Sequence, residues 1–574
     1  MNPSGISAFV KDKLERRDDD RFWLPLTIAL GVITCVALLI KGLHNPGAVP
    51  DDARMFLSWM GRFDNPEILK GDLIADYWSS VSPWVYDVLF RLAWLLGIDP
   101  LILVRFFPAF LFPPMAFFGY RLLRSFGVEP IITFIVIACL LHILARGEIV
   151  PSGTPRSLWP LFTLIVLDGL SRKMVWQTAI GQLLLAGCYP QMALVTSGII
   201  GLSAFSPWQK PWIDLSRRRI AIVLVAAIAT IAGILPFMLG ADDFSPIMTL
   251  AEARNIPTFQ AGGRGQIFSA DGSVDFFCSA RTGIFSDRCD GLTDPKILWL
   301  AIWYFSGPLL LFFALFNKPA EHTPRSPLPI YLVVTSLGLA GIAALMMFKL
   351  HLPNRYMAFF FLLPFVSTLP VVLSWLRART LPLVMGNWQR WSLPMTAGLL
   401  LLVAGSVFLA ASVKPKFSIP ENPALINAIA ALPERTVVGG FVKDLDFSPV
   451  FTNRSTLFNR ELSIAYQRGY FLPIQQRMQA MRDLVLTSDP AVLSGYIRSL
   501  KLDRLAIDDD TLSNARIPVP FRSFFGPDLN ALEDDAKKAG PSLVAQLAPR
   551  CTSGTYGTVY LLDTACMLGQ IAPN

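Results

Sequence analysis

The chain has 574 residues, of which 53% are apolar and only 16% charged, against about 25% charged in an ordinary soluble domain, and its mean hydropathy is +0.48. A soluble globular protein and a disordered one are both excluded. The formal net charge of +8 lies largely in short connections between apolar runs, where Lys and Arg orient helices, so it does not point to a nucleic-acid partner.

Crossing about 30 Å of hydrocarbon takes about 20 apolar residues, and runs near that length recur along most of the chain. The first, about Trp23 to Leu43, follows Lys11, Lys13, Arg16, Arg17 and Arg21. No small-x-small cleavage site follows it, and it reads as a signal anchor with the N-terminus inside. Further runs near 101–122, 131–146, 157–170, 175–189, 191–206, 219–240, 297–316, 328–349, 356–376 and 392–413 give about eleven transmembrane helices. Alternate connections carry Arg121/Arg124, Arg172/Lys173, Lys210 with Arg217-Arg218-Arg219, Lys318/Arg325, and Arg377/Arg379/Arg390. The positive-inside rule makes these cytoplasmic and leaves residues 44–100, residues 241–296 and the tail outside. The chain thus divides into a transmembrane module, 1–413, and a soluble extracytoplasmic α/β domain, 414–574. Short cytoplasmic loops and the lack of organelle signals suit a bacterial inner membrane.

The first outer loop opens on Val49-Pro50-Asp51-Asp52-Ala53-Arg54. Beyond the acids, Phe56, Trp59, Met60 and Phe63 fall at helical spacing, which predicts an amphipathic helix lying in the interface with its apolar face in lipid. A second interfacial helix is expected from Ser82, as N-cap, with Pro83 at N1 and Asp87/Arg91 as an i,i+4 pair. Asp51 and Asp52 are either caps of the first helix or a general base at the membrane surface beside a neighbour that orients it or holds a cation.

Other polar groups gather at the same face. Arg146-Gly147-Glu148 through Thr154-Pro155-Arg156 offers two cations to a lipid phosphate, or two anchors that snorkel. Tyr189-Pro190-Gln191 separates two short spans, and Gln191 is placed to bond a sugar hydroxyl or simply to close a hairpin. In Lys349-Leu350-His351-Leu352-Pro353-Asn354-Arg355-Tyr356, Pro353 breaks the helix while Lys349, His351, Arg355 and Tyr356 crowd one turn. Metal by carboxylates, Asp52 with Glu148, is a better fit than metal by histidine, whose spacing matches no ligand motif. The outer loop 241–296 carries Asp242-Asp243, Glu252, Arg254 and the glycine-rich 261–265, which lacks the G-K-[ST] of a P-loop. A loop of this length is either a lid or a disulfide-tied surface segment.

In the tail, strands are expected at 436–441, 504–507 and 556–562, separated by helices near 423–431, 466–486 and 490–500, an α/β layer pattern. Gly439-Gly440 lacks G-x-G-x-x-G, so no nucleotide loop is expected. Asn459-Arg460-Glu461 reads as an acceptor contact or, more simply, a solvated face. Cys278/Cys289 and Cys551/Cys566 are two close pairs in segments assigned outside, where disulfides form.

An acidic pair in the first extracytoplasmic loop resembles the C-type (GT-C) superfamily of polytopic membrane glycosyltransferases. The likeness extends over residues 20–380 through the amphipathic first loop, many spans, long later outer loop and outer C-terminal domain. The resemblance implies a hexosyl- or pentosyltransferase using a polyprenyl-phosphate sugar donor, with a glycan or lipid acceptor. It also implies Asp51 or Asp52 as catalytic base, and Arg355, Arg156 or Arg146 on the donor phosphate. Glu148, Gln191, His351 and Tyr356 become substrate-binding candidates, with a divalent cation, Mg or Mn, compatible at the acids. The W-W-D-x-G motif of oligosaccharyltransferases is missing, which favours transfer of a single sugar, with inversion. Competing readings are a polysaccharide polymerase or ligase with a diphosphate-linked lipid donor, a transporter, and a sensor or scaffold. The ionisable groups sit at span ends instead of the midplane, which disfavours transport.

Overall fold

The computed structural model describes residues 3–571 except 17, 46, 209, 241–242, 287, 292, 317–325, 414 and 465. Arg17, Asp242, Lys318, Arg325 and Lys414, used in the sequence reading, lie outside the described residues. Every predicted apolar run is helical. Among the described residues seven helical segments are long and apolar enough to cross a membrane: Asp20–Leu43, Pro100–Ser125, Arg217–Leu239, Lys296–Phe316, Leu328–Leu345, Pro353–Gly386 and Trp388–Ala411. The protein is a membrane protein.

The remaining four, Pro130–Arg146, Trp159–Ser171, Val175–Cys188 and Pro190–Leu202, have 17, 13, 14 and 13 residues. At about 1.5 Å per residue they fall short of the bilayer's thickness. Pro130, Pro160 and Pro190 stand in the first turn of three of them, where a missing N–H costs nothing. Packing offsets their shortness: Phe134, Val136, Val166, Leu185 and Val195 are fully buried. Gln182 ties the last hairpin to the next span, donating to the Ala193 carbonyl at 2.8 Å and to the Ser197 and Thr230 hydroxyls at 2.9 and 3.0 Å.

Seven short strands follow in chain order: β1 (Val49–Pro50), β2 (Phe417–Ser418), β3 (Val437–Gly439), β4 (Ser455–Thr456), β5 (Arg504–Asp508), β6 (Thr552–Tyr556) and β7 (Val559–Asp563). The C-terminal sheet runs β4-β3-β5-β7-β6. β3 is parallel to both its neighbours, while β7 is antiparallel to β5 and β6. The sequence pattern suggested one strand over 556–562. The chain instead turns at Gly557, with φ +60°, and makes a hairpin. Gly440, at φ +144°, passes so close to β5 that a Cβ there would lie 1.8 Å from the Ala506 carbonyl oxygen. A Cβ at Gly439 would in turn lie 2.6 Å from Met481 and 2.8 Å from Leu457 and Leu502, so close packing accounts for the glycine pair. Helices Pro423–Ala430, Arg468–Leu486 and Pro490–Ser499 lie where helical stretches were expected. Both disulfides, Cys278–Cys289 and Cys551–Cys566, are formed.

The first loop departs from expectation in an informative way. Its amphipathic stretch divides into a helix, Ala53–Leu57, and a 3₁₀ turn, Met60–Phe63. Its apolar face meets protein instead of lipid: Trp59 and Met60 are buried, and Phe56 packs edge-on against Trp78 and Tyr86. Hydrophobic periodicity marks a face that leaves water but does not say what covers it. Here the cover includes the tail, since Tyr77 stacks on Tyr470 with centroids 3.9 Å apart and Trp78 Nε1 donates to the Leu462 carbonyl at 3.3 Å. The second helix, Trp84–Leu95, forms with Pro83 and not Ser82 at its N-cap, and Asp87 accepts from Ser82 Oγ at 2.5 Å instead of pairing with Arg91.

Candidate functional site

β1 leaves the first span and β2 enters the tail, and the two pair antiparallel, Val49 with Ser418 and Pro50 with Phe417. This clasp sets the two acids that follow β1. Asp51 accepts from Ser418 Oγ at 2.8 Å and from Arg54, whose Nε also donates to the Asp51 carbonyl at 3.0 Å. Asp52 stands at the N-cap of Ala53–Leu57 but makes no side-chain cap hydrogen bond. Its carboxylate reaches across to Arg156 instead, so helix capping does not account for it.

A third carboxylate comes from the tail. Glu461, buried, presents an oxygen that lies with one each from Asp51 and Asp52 inside 4.8 Å. It accepts from Arg264 at 2.5 Å and lies 3.6 Å from Arg54 and 3.4 Å from Arg460. Arg54, itself buried, lies over the Phe447 ring at 4.3 Å. Behind Glu461, Asp446 is fully buried, accepts from the Arg460 and Glu461 backbone N–H groups at 2.6 and 3.2 Å, and has Arg460 Nε 3.6 Å away. Burial pushes the Asp446 carboxyl up to about 6, aided by Glu461 and opposed by Arg54 and Arg264. The first loop, the 241–296 loop and the tail therefore meet in one network of carboxylates and guanidinium groups.

Three carboxylate oxygens at that spacing suit a hard divalent cation, the chemistry of Mg, Mn or Ca. The same carboxylates already face Arg54, Arg156 and Arg264, with which a cation would compete. The acid paired with Asp52 in the sequence reading, Glu148, does not supply the third ligand. It is exposed and engages Lys416, and Glu461 takes that place.

The helix break at Pro353 brings the second set of groups. Arg355 lies within electrostatic reach of Tyr189, Tyr466 and Asp52, and its buried Nε has no hydrogen-bond partner among the described residues. His351 adopts φ +62° and sets its ring edge-on to Tyr466 at 5.3 Å. Burial, then the charges of Arg355 and Arg281, push its pKa down to about 3, so the ring is neutral near pH 7. Tyr356 is buried and spends its hydroxyl on the Leu350 carbonyl at 3.0 Å, closing the turn. Gln191 is half-buried, one residue past the Pro190 that starts its helix. Arg146 is exposed and makes no ion pair among the described residues.

Sequence reasoning missed Arg54, Arg264, Asp446 and Glu461. Glu461 stood in a stretch read as an acceptor contact or, more simply, a solvated face, yet Leu457, Phe458 and Leu462 flank it, all buried. A lone acid inside such a run is a signal for a paired buried charge.

No protein-family model matches the chain, and no curated protein sequence matches it. Three solved structures of the Archaeoglobus fulgidus oligosaccharyltransferase are similar to it. With a tethered acceptor peptide containing the NVT sequon, that protein gives a TM-score of 0.46 at 10% identity over 93% of this chain and 74% of that one. The apo form gives 0.41 at 11% identity over 95% and 75%. The complex with an inhibitory peptide and a dolichol-phosphate gives 0.40 at 10% over 86% and 70%.

Proposed function

We propose that the protein is a membrane glycosyltransferase of GT-C type that moves one hexosyl or pentosyl unit from a polyprenyl-phosphate donor to a glycan or lipid acceptor. The acid cluster would face the outside of a bacterial inner membrane. The observation that carries this reading is the ion pair between Asp52 and Arg156, with a second cation, Arg355, whose buried Nε has no hydrogen-bond partner and whose charge acts on Asp52. A phosphate held between those cations puts the sugar's anomeric carbon next to a carboxylate.

Asp52 is the base in this scheme. Asp51 is held by Arg54 and Ser418, and its part is to fix the loop. An acceptor hydroxyl gives its proton to Asp52 as its oxygen bonds the anomeric carbon. The carbon–oxygen bond to phosphate breaks on the opposite face, and the electron pair leaves on the phosphate, so configuration inverts. Arg156 and Arg355 stabilise the charge that grows there, aid typically worth about 10²- to 10³-fold in rate. In this scheme the guanidinium groups paired with Asp51, Asp52 and Glu461, those of Arg54, Arg156 and Arg264, supply the neutralisation that a divalent cation would otherwise supply.

The test is sugar transfer by the purified protein in detergent with polyprenyl-phosphate sugars and a cell-envelope extract. Asp52→Asn is expected to lower turnover by at least about 10³-fold, Asp51→Asn by about tenfold, and EDTA to leave most activity in place. Wild-type activity confined to a diphosphate-linked donor would replace this reading with a polymerase or ligase. Activity indifferent to both aspartates would remove the base assignment, and activity lost in EDTA and restored by Mn would put a cation in the cluster.

A further inference from the structure

Helix Trp84–Leu95 carries an outward stripe that neither the acid cluster nor the tail uses. Val88, Leu92, Leu95 and, just past its end, Leu96 are 45, 56, 70 and 80% exposed, at the i, i+4, i+7, i+8 spacing of one helix face. In a membrane protein such a stripe is covered by lipid chains. Arg91 interrupts it. Arg91 is exposed and makes no hydrogen bond or ion pair among the described residues. Asp87, one turn back, feels its charge but bonds Ser82.

The Arg91 guanidinium leans over the Phe63 ring at 5.1 Å. There it lines a cavity of about 460 Å³ with Trp59, Phe63, Ser79 and Trp94. The neighbouring Arg62 also reaches this cavity, but it is taken up by Asp76 and the carbonyls of Ile68 and Leu69. Trp94 Nε1 is likewise committed, to Asp64 at 2.7 Å. Arg91, the Ser79 hydroxyl and Trp59, whose buried Nε1 has no hydrogen-bond partner, are left lining an aromatic-walled cavity whose rim is an apolar stripe. A guanidinium within an apolar stripe needs an anion, and the anion that arrives with two hydrocarbon tails attached is a lipid phosphate.

We propose that this cavity is a binding site for the phosphate of an anionic membrane phospholipid. Arg91 and Ser79 hold the headgroup, and the acyl chains lie along Val88, Leu92, Leu95 and Leu96. The site is separate from the acid cluster and does not depend on the activity proposed for it. Arg91 pairs with the phosphate by charge-assisted hydrogen bonds, and Phe63 and Trp94 wall the headgroup off from water.

The experiment is native mass spectrometry of the full-length protein in detergent, titrated with phosphatidylglycerol, with phosphatidylcholine and with inorganic phosphate. One phosphatidylglycerol is expected to bind wild type at least about tenfold more tightly than Arg91→Gln, with Arg91→Lys between them. Phosphatidylcholine, whose choline offsets the phosphate charge, should bind wild type more weakly than phosphatidylglycerol does and lose less affinity on Arg91→Gln. Leu95→Ser, which leaves the cation intact, should weaken retention of phosphatidylglycerol but not of any inorganic phosphate. Equal retention of phosphatidylglycerol by wild type and Arg91→Gln would overturn the proposal. So would displacement of the lipid by millimolar inorganic phosphate, which would make the cavity a free-phosphate site. Arg91 is on the surface, so its variants should fold, and melting temperatures within about 2 °C of wild type confirm that the comparison is fair.

Discussion

Asp446 is a carboxyl group placed where a charge is costly: it is fully buried and only partly offset by Arg54, Arg264 and Arg460. Its folded-state pKa of about 6 exceeds the value near 4 of an unfolded Asp. Between those two values the folded chain keeps a proton that the unfolded chain has lost. Stability from this group is therefore full below about pH 4 and falls as the pH rises through about 6. Asp446→Asn mimics the protonated form, so its melting temperature relative to wild type should rise between pH 4 and pH 7. A gap that stays constant with pH would show that Asp446 titrates normally. Gly440→Ala makes a different demand, because its Cβ would meet the Ala506 carbonyl at 1.8 Å with φ at +144°. It should destabilise the C-terminal sheet by at least about 3 kcal/mol, read as protease cleavage of the tail at temperatures where wild type resists. At this scale the sequence was a good guide to chemistry and a poor one to partners. Asp51 and Asp52 stand out as an acidic pair after a span, but nothing local to Glu461 announces that it faces them.

The clasp between β1 and β2 is two residues long on each side, far below what alternation in a sequence can reveal. Its effect is nonetheless direct, because β2 ends on Ser418, whose hydroxyl holds Asp51. Ser418→Ala removes one hydrogen bond to a charged group, a change of about 1.5–3 kcal/mol at most. On the reading proposed above it should lower kcat several-fold with KM little changed, and an unchanged kcat would mean that Arg54 alone positions the acid. Longer elements were legible for a physical reason: a bilayer imposes length and apolarity on each helix, and both are written in composition. The four short helices kept their apolarity but not their length, since neighbouring helices cover them. Strand ends in the tail were blurred by the hairpin at Gly557, where the apolar pattern continues across the turn.

On the scale of the whole molecule, three segments far apart in sequence close over one another. The first loop brings Asp51, Asp52 and Arg54, the loop between spans brings Arg264, and the tail brings Glu461 and Asp446. The 241–296 loop is joined to the tail by backbone bonds as well, Met248 N donating to the Tyr466 carbonyl at 2.7 Å. On the proposed reading, truncation after residue 413 should therefore abolish transfer outright, and it should uncover Tyr77 and Trp78, which meet Tyr470 and the Leu462 carbonyl of the tail. An active truncated chain would show that the tail only decorates the membrane module. Such convergence was illegible in the sequence because it is a property of surfaces, and periodicity reports only that a surface exists. The clasp also has a meaning in time. Asp51 and Ser418 are 367 positions apart, so during synthesis the acids emerge at the membrane surface early and wait, unclasped, while the intervening helices are inserted. On the proposed reading, reactivity is switched on by completion of the chain, and a half-made protein carries its aspartates without the means to use them.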